Sequence, residues 1–191
     1  MGKYTLIPEN TFSRLVLGTG VLALAFDTDS GELDEDDILG ATTGKTEFCA
    51  LPHYTDMADK SQNCPKNVAG LKRLDYWEAK LSGTMVSAAA DTLKKLAGAA
   101  SVTSECISAQ KKLTDACFGD LWLIADYSDV TSGTDAGYIA VKLKNALNTS
   151  GVDLELSNGS KGEFAFSFLA HSDVSSPQTP PYEIYIHTGQ T

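Results

Sequence analysis

Residues 74–86 constrain the fold of this chain more than any other segment, because their polarity alternates from one residue to the next. Successive side chains of a β-strand point to opposite faces, so this pattern is typical of a strand. One face of the strand is suited to a hydrophobic core and the other to water. The apolar face carries Trp77, Ala79, Leu81, Gly83 and Met85, and the polar face carries Tyr76, Glu78, Lys80, Ser82 and Thr84.

Further strands are predicted along the rest of the chain, which makes the fold mainly β. Gly18 and Gly20 favour a break between two apolar segments near the N-terminus. Asn158 and Gly159 are typical of the tight turn of a hairpin. The other predicted strands are 12–17, 21–26, 46–54, 118–127, 137–145, 152–156, 164–168 and 182–187.

The apolar faces of these strands predict a β-sandwich in one domain that spans residues 1–191. A chain of 191 residues is long enough to bury a sizeable core without a second domain. Ile184 and Ile186 of the last strand are expected to point inward. The predicted sandwich core is formed by Trp77, Leu81, Met85, Trp122, Phe164 and Phe166.

One short helix and one long loop flank the strand at 74–86. Ser87 or Asp91 can cap a helix that continues to about Ala97, and Gly98 is a typical stop. Residues 55–73 are polar and lack a period, and a loop of this length is usually functional or packs against another molecule. The helix is expected to lie on the flank of the sandwich.

The charge and the apolar segments exclude several partners. The net charge is −10, with 25 acidic residues against 15 lysines and arginines, which disfavours adhesion to nucleic acid through a basic surface. The longest apolar run, 21–26, is far shorter than the roughly 18 residues of a membrane span, so no membrane insertion is expected. The start lacks the apolar core of a signal peptide, which predicts synthesis in the cytoplasm and reduced cysteines.

Two glycine-rich segments resemble nucleotide-binding motifs only in part. Residues 40–46 are one residue short of a P-loop and precede a strand, whereas a P-loop precedes a helix. The segment from Gly18 to Ala23 matches a relaxed dinucleotide pattern, but no alternation of strands and helices follows it. A turn and a break between strands are the favoured interpretations, and no cofactor is predicted.

The candidate metal and catalytic residues are also incomplete as motifs. Residues 27–37 begin like a calcium loop, but Glu32 stands where that loop needs glycine and Ile38 where it needs a bidentate glutamate. Cys49, His53 and Cys64 match no zinc spacing. No nucleophile motif accompanies the histidines. A solvated acidic loop is therefore favoured, and no catalytic or metal-binding residue is predicted.

Several segments spread over most of the chain form a recognisable set when they are taken together. The longest of them is LKRLDYWEAKLSGT at 71–84. Together these segments resemble the major tail tube proteins of long-tailed, non-contractile siphophages that infect Gram-positive bacteria. The other resembling segments are 4–12, 38–42, 63–67, 118–122, 126–128 and 161–166.

The resemblance implies a tail tube fold, a β-sandwich with a flanking helix that assembles into stacked hexameric rings in the phage tail. It implies that the tube surrounds the tape measure protein during assembly in the host cytoplasm, meets tail initiator and terminator proteins, and later conducts double-stranded genomic DNA during ejection. No enzymatic activity is implied. A long loop at about 55–73 and an N-terminal arm would bridge neighbouring subunits or rings.

This interpretation assigns roles to three sets of residues. The alternation of the strands makes Glu47, Glu78, Glu155 and Glu163 candidate lumen acids. Lys80, Ser82 and Thr84 form the candidate lumen-facing polar strand. The candidate inter-subunit or inter-ring loop carries Asp56, Asp59, Lys60, Lys66, Lys72 and Arg73.

A different class of protein is also consistent with the sequence, namely a monomeric β-sandwich module that binds carbohydrate or calcium at a surface. The acidic loop and aromatic residues such as Tyr76 and Tyr138 favour this alternative. Calorimetric titration with calcium and a panel of glycans distinguishes the two, because a tube protein is expected to give no saturable heat.

Overall fold

The computed structural model describes residues 7–8, 11–59, 62–104, 106–130, 132–133 and 135–189. Most of the predicted N-terminal arm lies outside these residues. The prediction of a mainly β fold is confirmed. The elements are β1 (Val16–Ala23), β2 (Thr42–Asp56), β3 (Lys72–Met85), α1 (Ala90–Ala97), β4 (Ala100–Thr103), β5 (Cys106–Ala109), β6 (Gly119–Tyr127), β7 (Tyr138–Asn148), β8 (Asp153–Glu155), β9 (Glu163–Leu169) and β10 (Tyr182–His187).

Eight of these strands form one curled antiparallel sheet, which is best described as two half-sheets. The first half-sheet has the order β1-β6-β7-β10, and the second has the order β2-β3-β9-β8. They are joined where Leu147 and Asn148, at the end of β7, pair with β9. β4 and β5 form a separate small hairpin beside α1.

A β-bulge on β7 lies next to this change of partner. Between the pairs Gly119↔Ala146 and Leu121↔Leu143 the strand β7 has one residue more than β6. Asn145 in this bulge has a φ of 46°, and its backbone N–H donates to the Asp120 carboxylate at 3.2 Å. Bulges bend a strand and increase its twist, which accounts for the curl at this point.

The main core lies between the inner faces of the two half-sheets. Leu22, Leu121 and Leu143 come from the first half-sheet, and Leu81 and Phe166 from the second. All five are at most 3% exposed. The two half-sheets therefore face each other across one core in the manner of a sandwich.

The residues predicted for the core of the sandwich do not all lie in it. Leu81, Met85 and Phe166 are buried there, and Phe164 packs against its border. Trp77 is only half-buried, and its ring meets the ring of Tyr182 edge-on with centroids 5.6 Å apart. Trp77 thus lies where β3 begins to leave the body of the sheet.

Trp122 was predicted in the same core and instead belongs to a second cluster on the outer face of the first half-sheet. Its neighbours on the strands of that half-sheet are Ala23 and Ala140, which are fully buried. Phe26 and Leu33, from the segment that follows β1, cover this cluster. Adjacent residues of β6 point to opposite faces, so Leu121 enters the main core and Trp122 the second cluster.

The helix α1 ends as predicted at Gly98, whose φ is 69°, and Leu96 is fully buried. Its start differs from the prediction, because the cap residue Ala89 offers no side-chain hydrogen bond. The Ser87 hydroxyl instead accepts the backbone N–H of Ala41. The Asn148 side chain donates to the carbonyl of Leu96, which ties the helix to β7.

Several strands differ from their predicted form. Val16–Ala23 is one bulged strand, with φ angles of 80° and 74° at Gly18 and Gly20, and was predicted as two strands. Ile184 and Ile186 were predicted to point inward, and the register places them on the core side of the half-sheet, opposite Val141 and Ile139. They are nevertheless 49% and 59% exposed, because β10 is an edge strand. Leu154 of the short edge strand β8 is 47% exposed.

Candidate channel face and assembly hairpin

A polar face runs across the second half-sheet on the side opposite the core. Alternate residues of a strand share a face, and so do residues directly opposite each other on neighbouring strands. Ser82 of β3 is opposite Glu47 of β2 and Ser167 of β9, while Glu163 of β9 is opposite Glu155 of β8. The register therefore brings together the predicted lumen residues on what we call the polar face: Glu47, Glu78, Lys80, Ser82, Thr84, Glu155 and Glu163.

The side chains of the polar face are accessible. The four glutamates and Lys80 are exposed, and Ser82 and Thr84 are half-buried. Residues between them on β3, such as Ala79 and Leu81, are fully buried. The two-sided burial of β3 follows directly from the alternation of its sequence.

Two of the four glutamates, Glu47 and Glu78, each have a basic side chain close by on the same face of the half-sheet. The Lys45 ammonium lies 2.7 Å from Glu47, and its hydrogen bond and positive charge lower the pKa of that carboxyl. His53 Nε2 lies 3.5 Å from the Glu78 carboxylate, close enough for an ion pair when the ring is protonated. The His53 ring also stacks on Tyr76, with centroids 4.2 Å apart.

The other two glutamates face each other without a cation. Glu155 and Glu163 are directly opposite in the β8–β9 pair, and Asp153 lies on the same face of β8. Among the described residues neither glutamate has an ion pair within 4.0 Å. Like charges in such a pair repel each other, so this edge carries uncompensated negative charge.

Sequence reasoning missed three residues of β2 on this face. Cys49, Leu51 and His53 are opposite Lys80, Glu78 and Tyr76. Their alternation with Phe48, Ala50 and Pro52 within the predicted strand 46–54 is the signal that could have revealed the face. Pro52 lies within β2 because this is an edge strand, where a residue without an N–H is tolerated.

The strands β2 and β3 continue beyond the body of the sheet as a two-stranded arm. β2 pairs with β3 from Thr42↔Met85 to Asp56↔Lys72, whereas β9 pairs with β3 only over Lys80–Met85. In the described part of the chain, no further strand pairs with the outer side of β2 or with residues 72–79 of β3. Its exposed side chains include large apolar ones, namely Leu51, Tyr54, Leu74 and Tyr76.

The predicted inter-subunit loop is the tip of this arm, which is shorter than expected. Asp56 ends β2, and Lys72 and Arg73 begin β3 opposite Asp56 and Thr55. Residues 57–71, which we call the hairpin tip, connect them. Asp59 and Lys66 lie in the tip and are exposed, while Lys60 falls outside the described residues.

Two aspartates organise the base of the tip. The Asp56 carboxylate accepts the backbone N–H groups of Ala58 and Asn67, both at 3.0 Å, and these bonds lower its pKa. Asp75 accepts hydrogen bonds from the Thr55 hydroxyl and the Arg73 guanidinium, which lower its pKa in the same way. These hydrogen bonds fix the backbone at Ala58 and Asn67 relative to the end of β2 and tie Thr55 of β2 to the start of β3.

The acidic loop, residues 27–37, lies over the second cluster. The Asp27 carboxylate accepts the Asp29 backbone N–H and the Ser30 hydroxyl, both at 2.9 Å, which closes a turn and lowers its pKa. An open cleft of about 820 Å³ lies beside the loop and is lined by Ala25, Phe26, Asp27, Glu32, Leu33, Asp34 and Asp37.

Neither a metal centre nor a membrane helix is found in the described part of the chain. No group of three or more histidine, cysteine, aspartate or glutamate side chains is placed there to hold a metal ion. No helix of that part is long and apolar enough to cross a membrane.

Comparison with known proteins gives no family for this chain. No protein-family model matches it, and no curated protein matches it. A chain described as "Virion of native gene transfer agent (GTA) particle" is similar in structure, with 13% identity and a TM-score of 0.43 over 81% of this chain and 92% of that chain. A chain described as "Tail of empty GTA particle computed with helical refinement, C6 symmetry" has 12% identity, a TM-score of 0.43 and the same coverage. Similarity at this level does not establish a shared function.

Proposed function

We propose that this chain is a structural tail tube protein of the siphophage type, without enzymatic activity. In this proposal it self-assembles into hexameric rings that stack into a tube, and the polar faces line the channel. One observation carries the proposal. The predicted lumen residues share one face of the four-stranded second half-sheet, and the opposite face of that half-sheet is buried in the core.

The open edges of the second half-sheet support ring closure. β2 is the edge at one side and β8 at the other. Edge strands present unpaired N–H and C=O groups, and closure into a barrel removes such edges. Pairing of the β2 edge of one copy with the β8 edge of the next would extend the polar face around a closed ring.

The charge of the polar face suits the passage of DNA. Carboxylates outnumber ammonium groups on this side of the half-sheet: the four glutamates and Asp153 lie there with Lys45 and Lys80. A negative wall repels a phosphate backbone and disfavours adhesion during transit. During assembly the same channel would hold the tape measure protein, and initiator and terminator proteins would bind the ends of the tube in the virion.

Electron microscopy of the purified protein tests the proposal. We expect rings or tubes of uniform diameter, in the concentrated protein or after co-expression with tail initiator proteins. A protein that stays monomeric under all these conditions contradicts the proposal. Saturable heat on titration with calcium or a glycan would favour the binding module instead.

Charge reversal tests the role of the polar face. Glu47, Glu78, Glu155 and Glu163 are replaced together by lysine in the phage, and DNA ejection is followed in time. We expect slower ejection, because the channel wall then attracts phosphates. Replacement of the same residues by glutamine is the matched control for lost charge without reversal. Unchanged ejection in the lysine variant contradicts the lining role.

A further inference from the structure

The loop that joins β8 to β9 contains the one asparagine of this chain that precedes a glycine. Asn158 is exposed, and the φ of Gly159 after it is 80°. The other five asparagines each precede a residue with a side chain, and these following residues are Thr11, Cys64, Val68, Ala146 and Thr149. The loop therefore differs from every other asparagine site in how open the next backbone nitrogen is.

This loop is longer than the tight hairpin turn that the sequence predicts. The β8–β9 pairing ends at Glu155 and Glu163, so residues 156–162 connect the strands. Within the loop the Ser160 backbone N–H donates to the Ser157 carbonyl at 3.2 Å, which closes a turn around Asn158. In the described part of the chain the Asn158 side chain has no hydrogen bond, so it is not held in place.

The backbone nitrogen of Gly159 is equally open. Its N–H donates no hydrogen bond to any described residue. Apart from its chain neighbours, no atom lies within 4 Å of the position where a Cβ atom would stand at Gly159. A nitrogen in this setting can lose its proton to solvent and approach the Asn158 side chain without steric hindrance.

Two other asparagines show how the fold restrains the same groups elsewhere. The Asn148 amide donates to two backbone carbonyls, and the N–H of Thr149 after it donates to the Ser167 carbonyl at 2.9 Å. The Asn145 amide donates to the His171 carbonyl at 3.4 Å. Hydrogen bonds hold the side-chain amide at both sites, whereas the asparagine of the β8–β9 loop has none.

We infer that Asn158 is a site of spontaneous deamidation. The deprotonated Gly159 nitrogen attacks Asn158 Cγ, which closes a five-membered succinimide ring and expels the amide nitrogen as ammonia with the transferred proton. Water then adds to one of the two ring carbonyls and breaks its bond to nitrogen. Cleavage at Cγ gives aspartate, and cleavage at the backbone carbonyl gives isoaspartate. Water is the only co-reactant, and nothing is oxidised or reduced.

The reaction adds negative charge to an edge that already carries it. Glu155 and Glu163 lie directly opposite each other in the β8–β9 pair, with Asp153 on the same face. Isoaspartate also lengthens the backbone of the loop by one carbon. The consequence for assembly rests on the proposed function, in which the β8 edge pairs with the next copy. Deamidated chains are then expected to close rings less well than freshly made ones.

A single peptide tests the site. Trypsin cleaves after Lys144 and Lys161, so the peptide 145–161 contains Asn145, Asn148 and Asn158 together. The folded protein is aged at mildly alkaline pH in water enriched in heavy oxygen, then digested in ordinary water and sequenced by mass spectrometry. We expect uptake of one solvent oxygen at Asn158 that grows with time, and none at the other two asparagines. No label at Asn158, or equal label at all three, overturns the inference.

Two conservative variants assign the reaction to this side chain. Asn158→Gln keeps the amide but can close only a six-membered ring, so we expect the label in this loop to be lost. The matched control Asn63→Gln changes an exposed asparagine that precedes cysteine, and the label at Asn158 is expected to persist in it. Circular dichroism shows that each variant is folded. A label in the loop of folded Asn158→Gln contradicts the assignment.

A fixed charge tests the consequence for assembly. Asn158→Asp carries the charge of the product, whereas Asn158→Gln is neutral. We expect less sedimenting polymer from Asn158→Asp, with the larger loss at low salt because screening is weaker there. Equal amounts of polymer contradict the effect on ring closure. A labelled Asn158 in a protein that stays strictly monomeric contradicts the proposed function and supports the modification site.

Discussion

The two half-sheets are built from similar strands but differ in what covers their outer faces. In the first half-sheet Leu143 is buried in the main core and Trp122 is buried on the outer face beneath the acidic loop. In the second half-sheet Leu81 is buried in the core, but Glu78 and Lys80 on the outer face are exposed. Among the described residues, a loop of the chain covers the outer face of the first half-sheet and none covers that of the second, so the outer face of the second half-sheet is the more accessible surface.

Replacing one aromatic residue on each outer face tests this difference, and it is the test with the largest expected change in the free energy of unfolding. Trp122→Ala is expected to lower the free energy of unfolding by about 3–5 kcal/mol, because the ring is 6% exposed and its loss leaves a cavity. Tyr76→Ala is expected to cost less than about 1 kcal/mol, because Tyr76 is 54% exposed. Urea denaturation measures both. Equal losses would mean that the outer face of the second half-sheet is buried as well.

Two neighbouring residues of β3 test the inner and outer faces of the second half-sheet. A Cβ atom at Gly83 would lie 2.8 Å from the Phe166 ring. Gly83→Ala is therefore expected to cost about 1–3 kcal/mol through overpacking. Ser82→Ala, on the polar face, is expected to change stability by less than about 0.5 kcal/mol. A loss at Ser82 as large as that at Gly83 would contradict a face open to solvent.

The arm of the second half-sheet is expected to respond to acid. Hydrogen bonds from Ala58 and Asn67 lower the pKa of Asp56 in the folded protein. The stabilisation is therefore complete above the ordinary pKa of an aspartate and is lost as the pH falls through the lowered folded value. We expect the amide protons of Ala58 and Asn67 to exchange several-fold faster at low pH, after correction for the intrinsic rate.

Variants at two aspartates separate this effect from general acid unfolding. Asp56→Ala is expected to remove the protection of both amides at every pH, as followed by nuclear magnetic resonance. Asp59→Ala, in the same tip, is expected to keep the pH dependence. A pH dependence that persists in Asp56→Ala would show that another group controls the tip.

The smallest expected effect lies at the β8 edge. Glu155 and Glu163 are directly opposite each other, so Glu163→Lys exchanges repulsion for attraction and is expected to stabilise the fold by about 0.2–1 kcal/mol. Glu163→Gln is expected to give a smaller gain. Thermal unfolding at low salt measures the difference, and a loss of stability in Glu163→Lys would mean that the glutamate has a partner on the polar face.

The sequence predicts best where burial on one face governs the choice of residue. β3 alternates because Ala79 and Leu81 are buried while Glu78 and Lys80 are not. The last strand was predicted at 182–187 and is observed as Tyr182–His187. The common face of the glutamates follows from the same alternation, once the register between strands is known.

What covers each face could not be predicted, because the covering element is distant in the sequence. Trp122 lies beneath Phe26 and Leu33, about 90 residues earlier in the chain. No local pattern distinguishes such a residue from one in the main core. Ile184 and Ile186 have the pattern of buried residues, but they lie on an edge strand and stay exposed.

The bulge at Asn145 has a mechanical consequence. β7 is the strand common to both half-sheets, so a pull on the second half-sheet reaches the first along a covalent backbone. At the bend, His171 Nδ1 lies 3.0 Å from the Asn145 carbonyl, and the His171 N–H donates to the Lys144 carbonyl at 3.0 Å. The angle between the half-sheets is thus fixed by the backbone of β7 and by hydrogen bonds within the chain, so a force on one half-sheet is carried to the other without a hinge at this corner.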